Sequence, residues 1–140
     1  ILYITKNIRN FVYFIIIYIV MVIIKDQNYP VIIMIFDKFF DFEYKTLIKN
    51  IEYFSNKTIQ DDISFKLYID LYNLKDYSYS TFNTLLTYLY GKNYPKLDTV
   101  KIFFNKENTG YIAKGLAYAN NIRNDNFKIH IIELENPKKW

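Results

Sequence analysis

One side chain in this 140-residue chain is of the type most often used as a general acid or base: His130, the sole histidine. It stands between Ile129 and Ile131 in an apolar stretch. A hydrolytic triad around it would need a serine on a Gly-x-Ser-x-Gly elbow, and the chain has none. A single imidazole holds zinc only with thiolates or several carboxylates beside it. The chain has no cysteine, which removes zinc thiolates, iron–sulfur clusters, disulfides and a thiol nucleophile together. His130 therefore reads as a partly exposed strand residue.

The carboxylates are equally sparse as chemistry. Asp61 and Asp62 fall in a stretch, 56–63, that reads as a loop, where paired charges are solvated. Asp37, Asp41 and Glu43 form the other acidic grouping, with Asp41 placed to cap a following helix. Asp70 and Asp76 lie at and beyond the end of a predicted strand, the position at which open α/β sheets gather their sites, yet no base accompanies them. Three glycines, Gly91, Gly110 and Gly115, are too few and too scattered for a phosphate-cradling loop. Asn108-Thr109-Gly110 reads as an ordinary helix start, and Asn56-Lys57-Thr58 matches a glycosylation sequon. These residues predict a chain with no catalytic set, no metal site and no cofactor.

Composition then sets the class. Hydrophobic residues at 51% and charged residues at 23% are those of a folded domain, and the length suits one core. Aromatics reach 20%, with 15 Tyr and 12 Phe, and Ile, Asn and Lys are also abundant. All have AT-rich codons, so the bias is that of an AT-rich genome or of a binding surface. The net charge of +4 permits an anionic membrane as partner. The lysines are dispersed and only Arg9 and Arg123 are arginines, which argues against nucleic acid, whose readers favour arginine.

The elements follow from periodicity. Residues 11–24 are an unbroken apolar run. As a helix they would span about 21 Å, short of the roughly 30 Å hydrocarbon core. The run is rich in Ile and Val, so residues 18–24 read as a strand, with a membrane anchor as the alternative. Residues 31–36 read as a strand buried on both faces. Tyr44, Leu47, Ile48 and Ile51 repeat at helix spacing over 43–54. Residues 65–71 alternate as a strand with one polar face. A loop over 72–79 leads to a helix that Ser80 would cap and Gly91 would end, with Phe82, Leu85, Leu86 and Leu89 inward. Residues 99–104 and 128–134 are further strands, with a third helix expected over 109–120. The order β-α-β-α-β-α-β, with an extra strand possible in front, predicts an α/β fold with a mostly parallel sheet covered by helices. The organisation is one domain over 18–134, a hydrophobic segment over 1–17 and a frayed polar tail over 135–140.

Several motifs, taken in order, resemble those of the CRAL-TRIO lipid-binding domains. Asp26-Gln27-Asn28-Tyr29-Pro30-Val31 is similar to the hairpin that enters that family's first core strand. Ile69-Asp70-Leu71-Tyr72-Asn73-Leu74 is similar to its strand ending in Asp-Leu-x-x-Leu, and Asn93-Tyr94-Pro95-Lys96-Leu97 to its Tyr-Pro-x-x-Leu before a strand. Val100 to Asn105 and Lys128-Ile129 match the next two strands. The resemblance implies a non-catalytic domain binding a lipid or other hydrophobic ligand or a membrane surface. Ile33, Ile35, Leu67, Ile69, Ile102 and Phe104 would floor its pocket, and Ile112, Leu116 and Ala119 would face the ligand from a gating third helix. More loosely, Ile69-Asp70-Leu71 with Ser78 or Ser80 resembles the strand–loop–helix of STAS domains. That implies a protein-interaction module regulated at one of these serines. The expected location is cytoplasmic or at a membrane periphery, or membrane-anchored should 11–24 form a helix.

Overall fold

A computed structural model of the chain describes residues 4–5, 22–91, 94–107, 115 and 128–140. The fold is mixed α/β. Six strands form one sheet in the order β1 (Ile4–Thr5), β2 (Val22–Lys25), β3 (Val31–Phe36), β5 (Phe65–Leu71), β7 (Leu97–Phe104) and β8 (Lys128–Glu133). All neighbours run parallel except β2 and β3, which meet as an antiparallel hairpin. Two helices, α1 (Asp41–Asp61) and α2 (Tyr79–Gly91), are the described crossovers. A ladder of two short strands, β4 (Lys38–Phe39) and β6 (Asp76–Tyr77), lies beside the sheet.

Parallel neighbours need crossovers, and right-handed crossovers that step in one direction along a sheet fall on the same face. Burial follows this. Val22, Ile24, Ile32, Met34, Phe36, Phe65, Leu67, Ile69, Val100 and Ile102 share one core with Leu47, Ile51 and Phe54 of α1 and Phe82, Leu85 and Leu89 of α2. Phe39 links the layers, stacked on Phe82 at 4.4 Å and edge-on to Phe36 at 5.1 Å. Between the helices, Tyr44 meets Tyr88 edge-on at 6.5 Å, and Tyr88 hydrogen-bonds Tyr94. Burial first, then that bond, pushes the Tyr94 phenol well above its ordinary pKa.

Three boundaries differ from the sequence reading. Helix α1 runs through 56–61 instead of ending at 54, because its inward positions there are Ser55 and Thr58, whose polarity hides the period. The Thr58 hydroxyl is satisfied by the carbonyls of Phe54 and Ser55, so the sequon threonine is buried within a helix. Asp62, with φ of 52°, closes α1 in the left-handed conformation and pairs with Lys96 at 2.7 Å. Helix α2 is capped by Ser78 rather than Ser80: the Ser78 hydroxyl accepts from the Thr81 amide at 3.3 Å. The expected loop over 72–79 contains β6, too short to show a period. Of the apolar run 11–24, residues 22–24 are strand, and 11–21 lie outside the described residues. The third helix expected over 109–120 also lies outside them, apart from Gly115. Among the described residues no helix is long and apolar enough to cross a membrane.

Leu67 is inward and 1% exposed while Lys66 beside it is exposed, so Leu67→Ala should cost about 2–5 kcal/mol in urea unfolding and Lys66→Ala close to none. The Tyr29 hydroxyl donates to Asp61 at 2.7 Å, and burial first, then this bond, raises its pKa from 10.0 to about 12. A phenol held protonated stabilises the fold below pH 10, and that contribution disappears as pH rises to about 12. Tyr29→Phe should therefore lose less stability than the parent across that window, measured by urea midpoints at successive pH values.

Candidate functional site

The face of the sheet away from α1 and α2 carries a different chemistry. Alternation along β5 and β7 turns Lys66, Tyr68 and Asp70, and Thr99, Lys101 and Phe103, onto this far face. In register, Ile33 lies beside Tyr68, Ile35 beside Asp70 and His130 beside Lys101. His130 is exposed there, as its sequence context predicts.

Residues 134–140 cross this face as a strap. That overturns the expectation of a frayed tail, and the reason is local. Trp140 places its ring against Phe103 at 5.2 Å and Tyr68 at 6.0 Å, and its indole N–H donates to Asp70 Oδ2 at 2.6 Å. The other oxygen of Asp70 accepts the Tyr72 amide at 2.9 Å, which turns the chain at the end of β5. Asp70 is 5% exposed, so the indole completes the partners of a carboxylate that would otherwise be buried and half-satisfied. Lys25 Nζ donates to the Trp140 carbonyl at 3.2 Å, the Tyr72 hydroxyl to the Glu135 carbonyl at 3.1 Å, and Lys138 Nζ lies 5.5 Å from the Trp140 ring centre.

Beside the strap, at the C-terminal ends of β3 and β5, a cleft of about 280 Å³ opens between Ile23, Ile35, Phe36, Asp37, Asn73 and Lys75. Ile23 and Ile35 face each other across the β2–β3 hairpin and supply an apolar floor. The rim is polar. It is held by the β4–β6 ladder and by the Lys75 amide donating to the Asp37 carbonyl at 2.9 Å. Asp37 Oδ1 is buried and lacks a hydrogen-bond partner. Asp37 and Lys75 form no ion pair with each other, since the described ion pairs are Lys45–Asp41 and Lys96–Asp62. Among the described residues no cluster of His, Asp and Glu could hold a metal ion. The cleft offers an apolar floor, one carboxylate and one ammonium.

The residues nominated from sequence do not share one floor. Ile33 and Ile35 are on the far face, whereas Leu67, Ile69, Ile102 and Phe104 are on the face that carries α1 and α2. The parallel register aligns Ile32, not Ile33, with Leu67, so like-numbered positions in β3 and β5 point opposite ways. Leu67, Ile69 and Ile102 are closed in the core at 1% exposure or less, and only Ile35 of the nominated floor lines the cleft. Ile112, Leu116 and Ala119 lie outside the described residues. Gly115, which is described, places its backbone against α2, where an added Cβ would stand 2.9 Å from the Tyr79 hydroxyl oxygen. Asp61 and Asp62 are helix-end residues engaged by Tyr29 and Lys96. Asp76 sits in β6 and is exposed. Of the two serines, Ser78 is used in capping and Ser80 is exposed. Sequence reasoning missed Ile23, Asn73, Lys75 and Trp140. The strand-end rule that singled out Asp70 and Asp76 also covers Asp37 and Lys75; nothing local marks Trp140.

Compared with known protein families, curated proteins and solved structures, the chain matches none.

Trp140 is the only tryptophan, so its fluorescence reports the strap directly. Asp70→Ala, which removes the indole's acceptor, should shift the emission to the red and raise acrylamide quenching severalfold, while Asp76→Ala leaves both unchanged.

Proposed function

We propose that this chain is a non-catalytic binding domain for a small amphiphile, held in the cleft at the ends of β3 and β5. The single observation that carries this reading is the cleft itself: Ile23 and Ile35 as an apolar floor, with Lys75, Asn73 and Asp37 on one rim. Its volume of about 280 Å³ falls just below the roughly 300–1,000 Å³ of small-molecule sites. A short acyl chain or one ring system fits that space; a two-chain phospholipid does not. Burial of the apolar part drives association, and the ammonium of Lys75 selects an anionic head. The resemblance to CRAL-TRIO domains supports a hydrophobic ligand. The finer alternation β-α-β-α-β-α-β, with a third helix over 109–120 carrying Ile112, Leu116 and Ala119, belongs to the same proposal.

A second reading, a STAS-like interaction module, has one observation in its favour: Tyr79 and Ser80 stand exposed at the start of α2, open to a partner or a kinase.

Purified chain, extracted with organic solvent and analysed by mass spectrometry, should yield about one amphiphile per chain. Stripped chain should take up decanoate in a calorimetric titration. Ile35→Asp should abolish uptake. Lys75→Ala should weaken decanoate about tenfold while leaving decanol unchanged, the loss expected for one hydrogen bond to a charged group. A lipid-free chain that binds neither compound overturns the reading.

A further inference from the structure

The far face has a second property that the cleft does not use. Lys25, Lys66, Lys101 and Lys138 project from β2, β5, β7 and the strap onto it, and none belongs to an ion pair among the described residues. Of the described carboxylates on this face, Asp70 is buried and bonded to Trp140 and Tyr72, and Glu135 is exposed on the strap, so the lysines outnumber the exposed carboxylate there. The opposite side of the molecule differs: α1 mixes Asp41, Glu43, Glu52 and Asp61 with Lys45, Lys49 and Lys57. Tyr68, Tyr72 and Trp140 are half-buried on the far face, each with an apolar ring and a polar handle. Ile23 and Ile35, also half-buried, open the cleft on this same side.

We infer that this face docks on an anionic lipid bilayer, its lysines against the headgroups and its Tyr and Trp rings at the interface. Dispersed lysines around amphipathic aromatics match the negative potential and the mixed polarity of that layer. Single-stranded nucleic acid needs open ring faces for base stacking. Here amines already cover them, Lys101 Nζ lying 5.2 Å from the Tyr68 ring centre and Lys138 Nζ 5.5 Å from that of Trp140. Docking in this orientation turns the mouth of the cleft toward the membrane. The inference stands on the lysines and rings, independently of what the cleft holds.

The test is sedimentation of the full chain with vesicles. It should pellet with vesicles of equal parts phosphatidylserine and phosphatidylcholine, stay in solution with phosphatidylcholine alone, and be released by high salt. Trp140 emission should shift to the blue on binding. Lys66→Glu with Lys101→Glu should weaken binding at least 25-fold, on the basis of about fivefold for each lysine removed. The equal charge change Lys49→Glu with Lys57→Glu on α1 should weaken it far less. Equal loss from both pairs, equal binding to neutral vesicles, or binding to an oligothymidine strand in place of vesicles overturns the proposal. Decanoate uptake in the absence of vesicles reports the cleft alone, so failure of one reading is separable from failure of the other.

Discussion

Parallel pairing of β3, β5 and β7 is the constraint on which the rest of the molecule rests. A chain that must re-enter the sheet from the same end has to cross back over it, and α1 and α2 do so on one side. Their apolar stripes close the core there. Among the described residues, the other side of the same strands carries a strap and a few aromatic rings. Each strand thus has a closed half and a half that faces outward, and the amide ladder between them serves both.

Much of this order could be read directly from the chain. The alternation of Phe65, Leu67, Ile69 and Leu71 against Lys66, Tyr68 and Asp70 defines β5, and its inward half is buried as the alternation requires. The continuous apolar run of β3 and the helix spacing of α2 were equally plain. What escaped has physical causes. Ser55 and Thr58 occupy inward positions of α1, so a hydrophobic period ends before the helix does. Register is a property of two strands together, and no spacing within β3 reveals that Ile32 rather than Ile33 aligns with Leu67. The partners Asp70 and Trp140 are 70 residues apart and neither announces the other. The cleft escaped for the same reason, since its walls come from β2, the end of β3 and the turn after β5.

The strap and the cleft meet at Asp70. Its position beside Ile35 in register puts the carboxylate next to the cleft floor, while its bond to the indole holds the strap in place. A buried carboxylate satisfied by neutral donors is a demanding neighbour: any movement of Trp140 leaves it short of a partner. The strap and the cleft are therefore neighbours through one side chain, without an ion pair between them.

The small β4–β6 ladder has a thermodynamic consequence. By pinning the turn after β3 to the turn after β5, it fixes the backbone of the cleft rim as part of folding. Any molecule that enters meets a mould already set. Its association escapes the roughly 1–2 kcal/mol per residue that freezing a loose loop would cost, and the opposing terms are the ligand's own loss of freedom and the desolvation of its polar head.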